Sequence, residues 1–481
     1  MTAIVSTPGR NAPAIRRSRS ATTPGRIRML TAAVAGLSVL FGWLIVQGVA
    51  NERDGYRDIG HRAAPQVAGA SDLSFALSDM DAQVAGLLLI GWEKNLGVGQ
   101  HNALTIFEQR RQQVDADLQR AAPAAGDPAA QRSLRKVLDA LGSYEAKAAQ
   151  AIMLSDEGHH EVGKPSAEAL GMYLSANRVL KTELLPAVTD LTKANSAALD
   201  RMYKAQRDHR RLTVAMTALA GLALLAALIT LQVLLARLFH RRFNPLLVLA
   251  TLGVGVLLIA SLDMFATKAE HLRAAKEDAF DSVLALSRAR AVGYEFNADH
   301  GRYLLDSGYR QYSDEDFLDK AQQIASLPDV TTLDRYPNAL RQAMTDYSAP
   351  HHHAYVWSGY FGVEFGNITF PGERELAEQT MSDYVNYMYS DAHVRDLLRD
   401  ATVRDAVQFS TSYAPPNGNY RFDQYDKSLA ALINLNRSYF DKSVRAGEHG
   451  LALWGLLPWV AVIAVVGLAY AGVRPRLAEY R

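Results

Sequence analysis

Four stretches of this chain, residues 29–50, 212–236, 246–262 and 451–473, are almost wholly apolar and carry no internal charge. A helix rises ~1.5 Å per residue, so ~20 such residues cross ~30 Å of hydrocarbon. A backbone in lipid must satisfy its own hydrogen bonds, so each run is expected to be a helix. Four uncharged runs of this length are hard to bury inside a soluble protein. The expected fold class is therefore an all-α membrane protein with four transmembrane helices. The fourth run contains Pro458, which a membrane helix tolerates as a kink.

Charge between the runs sets an orientation. Residues 1–28 hold six arginines and no acid, the connection 237–245 reads RLFHRRFNP, and the chain closes on RPRLAEYR at 474–481. Short basic segments stay on the cytoplasmic side. Both termini and the 237–245 hairpin are thus expected inside, in a multi-pass plasma-membrane protein. Pro245 is placed to open the third helix. The first apolar run exceeds the 7–15 residues of a typical signal-peptide core, so it reads as an uncleaved anchor. The segment before it is rich in Arg, Ser, Thr, Pro and Gly and reads as a disordered basic tail.

Two large segments remain outside, 51–211 and 263–450. The chain has no cysteine, so both must stand on packing alone. The cytoplasmic parts are too short for a kinase, a nucleotidase or a DNA-binding module. Neither an enzyme nor a nucleic-acid partner is expected. In 51–211 the apolar spacing near 3.6 and three turn-rich breaks predict a four-helix bundle. The breaks are GVGQ at 97–100, APAAGDPAA at 122–130 and SDEGHHEVGKPS at 155–166.

The last helix of that bundle carries a seam in steps of four and three: Leu184, Val188, Leu191, Asn195, Ala198, Met202 and Ala205. The same steps return 241 residues later at Tyr425, Leu429, Leu432, Asn436, Tyr439, Ser443 and Ala446. Asn falls on Asn, and a buried polar residue on a seam fixes register. The first and third apolar runs are offset by about 217. Two parallel copies of one span–bundle–span unit would produce this pattern, with Asn195 and Asn436 setting register.

The second segment holds 15 of the 21 tyrosines, and its acids outnumber Lys plus Arg by 28 to 19. Helices are expected to frame it at about 266–309 and 422–449, with shorter ones at 373–389 and 392–406. An insertion, 348–372, breaks the helical period, and its aromatic, β-branched and glycine residues predict a small irregular or β loop. Within it, His351, His352, His353, Tyr355, Trp357, Tyr360, Phe361 and Phe365 are the candidate contact with an extracytoplasmic partner. Trp and Tyr dominate interface hot spots, although the same aromatics also suit a small core under a loop. Three consecutive histidines alternate direction in a strand and suit a tetrahedral metal poorly. No metal site and no cofactor are expected. The sequence contains no Gly-rich phosphate loop after a strand, no GxSxG and no HExxH. None of the four apolar runs carries the mid-membrane charge that a transporter usually needs.

The order of parts, with the RLFHRRFNP hairpin and the RPRLAEYR tail, resembles the actinobacterial GlnX-type membrane proteins. That resemblance implies work with a glutamine-binding lipoprotein outside and a soluble Ser/Thr protein kinase inside, in amino-acid sensing. It supplies no site residues. The expectation is a non-enzymatic transmembrane sensor that receives its signal through a solute-binding lipoprotein. Arg237, Arg241, Arg242, Arg474 and Arg476 are the candidate cytoplasmic relay. Two other readings stand beside it: an envelope scaffold, and a chemoreceptor that binds its ligand directly in the bundle. A homo-oligomer is compatible with all three.

Overall fold

The computed structural model describes residues 23–93, 100–122, 128–239, 244–348, 357–400 and 402–478. They are helical throughout, and no strand occurs among them. The chain divides into two compact units. One comprises Met1–Arg53, Gln206–Lys268 and His449–Arg481; the other comprises Asp54–Ala205 and Ala269–Glu448.

The first unit is built on α1 (Thr23–Asp58), the later part of α6 (Leu185–Phe239), α7 (Pro245–Arg273) and α15 (Leu451–Ala478). Among the described residues, four helices are long and apolar enough to cross a membrane, as in a multi-pass membrane protein. Large side chains such as Leu219, Leu252, Ile259 and Ile463 are exposed on these runs, as lipid-facing residues would be. Polar side chains tie the helices together. Gln232 Nε2 donates to Thr251 Oγ1 at 2.6 Å, joining α6 to α7. Asn244 Oδ1 accepts from the Leu246 backbone at 3.1 Å, just ahead of Pro245, so α7 starts where the proline predicts. Asn244 Nδ2 also donates to the Gly472 carbonyl at 2.7 Å.

In the second unit, the first chain segment supplies α2 (Ala64–Ile90), α3 (Gln100–Ala121), α4 (Pro128–Glu157), α5 (Ala167–Val179) and the start of α6. The later segment supplies α8 (Asp281–Leu305), α9 (Arg310–Ile324), α10 (Tyr336–Ser348), α11 (Tyr360–Gly366), α12 (Glu373–Asp400), α13 (Val403–Thr411) and α14 (Gly418–Glu448). Helix starts follow local chemistry. Ser166 Oγ accepts from the Ala169 backbone at 3.1 Å ahead of α5, and Thr402 Oγ1 accepts from that of Asp405 at 3.1 Å ahead of α13. The two segments share one hydrophobic core, which runs from Leu73 to Val188 and from Val283 to Ile433. At its centre α2 crosses α8. A Cβ placed on Gly301 would sit 2.8 Å from the Cβ of Ala85, so the crossing requires a residue without a side chain.

Both segments enter this unit in the same way. A π-helical turn, Ile59–Ala63, interrupts the helix ahead of α2, and another, Ala274–Phe280, interrupts it ahead of α8. They begin 215 residues apart, close to the offset between the first and third apolar runs. A π turn leaves carbonyls without their usual intrahelical donors. At the second turn Asn367 Nδ2 donates to the Glu277 and Asp278 carbonyls, each at 2.9 Å.

Three sequence expectations are corrected. The irregular or β loop expected over 348–372 holds no strand where it is described and contains a short helix instead. Gly359, at φ +78°, turns the chain into α11, and Phe361 and Phe365 then share one helical face with ring centres 6.3 Å apart. The helices expected at 373–389 and 392–406 are instead one helix, α12, followed by α13 after residue 401. The seam helices also leave their expected steps after the asparagines. Leu199, rather than Ala198 and Met202, is buried, and Phe440 and Val444 replace Tyr439 and Ser443. Each seam takes a step of four after its asparagine, nearer to the 3.6 residues of a straight helix than to a coiled-coil repeat.

Candidate functional site

Within an otherwise apolar run, α2 carries Asp79 and Asp81, both buried. Buried carboxylates need partners, and these two find theirs in different directions. Asp79 accepts from Gln83 Nε2 at 2.8 Å and from Arg110 Nε on α3 at 2.5 Å. Burial raises its pKa, against the pull of the Arg110 charge. Across from it, Arg290 of α8 forms a two-pronged bond to Asp426 of α14, at 2.6 and 2.9 Å. Its guanidinium lies 3.9 Å from the centre of the Phe75 ring, which Arg110 also approaches, at 4.7 Å. Tyr294 packs edge-on against both Phe75 and Phe422.

Of these groups, Asp79, Gln83, Arg110, Tyr294, Phe422 and Asp426 wall a cavity of about 610 Å³. Its lining comes from both chain segments: Asp79, Gln83 and Gly86 on α2, Arg110 on α3, Tyr294 and Asn297 on α8, and Phe422, Asp423 and Asp426 on α14. The size and the mix of aromatic and convergent polar groups suit a small solute.

A second cavity, of about 850 Å³, lies on the opposite face of α8. It is lined by α8 and α9, by Ser71 and Ser74 of α2, and by the stretch from Lys181 to Lys193 that leads into α6. The two cavities are thus built from corresponding helices with the segments exchanged. In the second, the chain supplies its own cations. Lys181 Nζ lies 2.5 and 2.7 Å from the two oxygens of the fully buried Asp299. Lys320 Nζ lies 2.9 Å from Asp299 and 2.5 Å from Asp316, and Arg302 lies 2.9 Å from Asp299. Asp81 borders this network and accepts from Asn177 Nδ2 at 2.7 Å; burial pushes its pKa up to about 6. Glu295, on the cavity wall, is pushed up to about 7, again by burial.

The two seam asparagines are both buried. Asn195 Nδ2 donates to the carbonyls of Gln66 and Ala121, at 3.3 and 3.2 Å. Asn436 Nδ2 donates to Glu364 Oε1 at 3.4 Å. Glu364 and Glu373 are both fully buried. Burial, reinforced by the Glu373 charge, pushes the Glu364 carboxyl up to about 8. Glu373 is fixed by its other oxygen, which accepts from the Thr369 and Phe370 backbones at 2.8 and 2.9 Å.

In the first unit, a second polar group stands just beyond the apolar runs. Arg210 and Glu52 form a buried two-pronged pair at 2.6 and 2.8 Å. Lys268 Nζ donates to the His449 carbonyl at 2.7 Å.

Of the residues singled out from sequence, His351, His352, His353, Tyr355, Arg241 and Arg242 lie outside the described residues. Trp357 and Phe361 are buried, while Tyr360 and Phe365 are half-buried. Trp357 and Phe365 stack with ring centres 5.5 Å apart, and Tyr347 meets Phe365 at 4.9 Å. Tyr360 lines the second cavity. Arg237 and Arg474 are exposed, and Arg476 falls within α15. Sequence reasoning does not single out the residues around the first cavity. Two aspartates inside the apolar run of α2 were the available signal.

No curated protein and no solved structure matches this chain. Residues 55–204, which run from the start of the second unit nearly to the end of its first chain segment, match the family model described as the actinobacterial sensor domain.

Proposed function

We infer that this protein is a non-enzymatic transmembrane sensor, with its second unit outside the cell and both termini and the 237–245 hairpin in the cytoplasm. One observation carries the reading: α6 runs unbroken from Leu185, inside the stretch that matches a sensor family, to Phe239, next to the exposed Arg237. A continuous helix is a direct mechanical connection between a receiving domain and a basic cytoplasmic turn. Coupling of this kind needs a two-state element that both ends bias, and the seam helices α6 and α14 are the candidates. The resemblance to the GlnX-type proteins suggests a solute-binding lipoprotein as the outer partner and a Ser/Thr kinase as the inner one.

The test replaces Arg237, Arg241 and Arg242 together with glutamine and checks that insertion and abundance are unchanged. Phosphorylation by the kinase is then expected to lose its dependence on external amino acids. Retention of the full response would remove the hairpin from the relay. A second reading, direct binding of the signal molecule in the helical unit, is favoured by the 610 Å³ cavity.

A further inference from the structure

The charges around the smaller cavity are settled within the chain. Asp79 holds Arg110, Asp426 holds Arg290 in a two-pronged bond, and Asp423 accepts from Lys427 Nζ at 2.6 Å. Each ion on this wall therefore has its opposite charge in place, and an ionic solute would find no free counter-charge there. Hydrogen-bonding capacity is a different matter. A carboxylate offers about four acceptor positions. Each oxygen of Asp79 and of Asp426 accepts one hydrogen bond from the described residues, and Asp423 Oδ1 accepts none. Side-chain amides on the same wall are half engaged. Gln83 and Asn419 each donate one bond and accept none, and Asn297 accepts a single long contact from Tyr387, at 3.5 Å. Tyr294 is only 6% exposed, yet its hydroxyl has no hydrogen-bond partner among the described residues. Tyr294, Tyr413 and Phe422 add aromatic surface, and the electron-rich face of such a ring attracts the weakly positive C–H groups of a partner. A wall that is charge-settled, rich in vacant acceptors and partly aromatic fits a ligand that brings many hydroxyl groups and no charge.

We propose that the cavity bounded by Asp79, Tyr294, Asn297, Phe422 and Asp423 binds an uncharged polyhydroxylated solute, a small saccharide. The inference deepens the second reading above, direct binding in the helical unit, and relies on it for biological meaning. Hydroxyl groups of the solute donate to the ion-paired carboxylates, and a hydrogen bond to an ionised acceptor is stronger than a neutral one. The amides and the Tyr294 hydroxyl meet the remaining hydroxyls. Free sugars and the end groups of longer glycans share this chemistry. Because helices of both chain segments form the wall, an occupant would hold α2 and α3 to α8 and α14.

Gly86 gives a clean test. It lines the cavity, and a Cβ added there meets nothing within 4 Å. Gly86→Leu therefore fills the space without a clash. Full-length protein in lipid nanodiscs would be titrated calorimetrically with glucose, galactose, N-acetylglucosamine, myo-inositol, sucrose, maltose and maltohexaose. The charged controls are glucosamine and glucuronate, which place an ammonium or a carboxylate on the same ring. At least one neutral probe should bind with a Kd in the millimolar range or tighter. Binding by the short probes alone, or by maltohexaose as well, tells a free sugar from the end of a glycan. Both charged controls should bind at least about tenfold more weakly than that neutral probe, a loss of roughly 1.4 kcal/mol. Gly86→Leu should weaken the neutral probe by a similar factor with an unchanged melting temperature. Asn297→Leu removes an amide at nearly constant volume, should weaken it too, and carries the test if Gly86→Leu does not fold. Absence of binding by every neutral probe, equal or tighter binding by a charged control, or undiminished binding by the variants would each overturn the proposal. The direct-binding reading fails on a separate measurement, a cellular response to the external signal that folded Gly86→Leu leaves intact. None of these results touches the relay, which the arginine replacements test.

Discussion

Asn195 and Asn436 stand 241 residues apart at matching places on α6 and α14, yet they face different chemistry. Asn195 meets two backbone carbonyls, which are neutral and fixed. Asn436 meets a carboxyl that burial holds protonated near neutral pH. Corresponding backbones therefore do not imply corresponding electrostatics. The earlier seam asparagine is settled by carbonyls of its own segment, and the later one stands against a titratable group.

The largest effect should come from removing the carboxylate at the centre of the ion network beside the second cavity. Asp299→Ala would leave Lys181, Lys320 and Arg302 together with their shared anion gone. Breaking a buried pair in this way costs about 3–5 kcal/mol, and chemical denaturation should show at least that loss. If the loss is no greater than that of Asp79→Ala, which frees the single cation Arg110, the number of cations gathered on a buried carboxylate does not set its cost. Next is the crossing of α2 and α8. Gly301→Leu forces a side chain against Ala85 and should destabilise the helical unit by about 1–3 kcal/mol, as overpacking does. A neutral result would mean that the two segments can separate there without penalty.

The smallest effect is the most informative about the seam. Burial raises the folded-state pKa of Glu364 to about 8 from an ordinary 4.5. Between these values the folded chain holds a proton that the unfolded chain has released. This group therefore supports stability fully below about pH 4.5, and its support is lost as pH rises through about 8. Glu364→Gln keeps the shape and removes the titration. It should gain roughly 1–2 kcal/mol over the parent at pH 8 and flatten the decline from pH 5 to 8. Thermal melts across that range decide the matter, and parallel curves for the two proteins would exclude Glu364 as the cause.

Helix type was legible in the sequence because apolar spacing reports directly on which face is buried. The start of α7 was legible at Pro245, and both seam asparagines are buried as their position predicted. The aromatic insertion misled for a physical reason: glycines and aromatics suit a hairpin, but they also suit a short helix whose i and i+4 rings stack. The cavities were not legible, because Asp79 and Asp426 lie 347 residues apart and only the packing of α2 on α8 joins their neighbourhoods. Charge on a helix announces solvent until a partner from a distant helix is known. Arg290 and Arg110 are such partners.

The paired π turns make the molecule adjustable in an unusual way. Each holds residues in excess of a regular helix, so a deletion of one residue within 59–63 or within 274–280 can be absorbed by reverting to α geometry. The helices on either side would then keep nearly their present phase and reach, whereas a residue deleted from the regular helix beside the turn rotates one side by about 100°. Compared in pairs, a deletion within each turn and one in the regular helix beside it separate loss of the π turn from a change of phase. They offer a means of asking whether rotation of a helix, rather than its displacement along the axis, is the motion to which the rest of the protein responds.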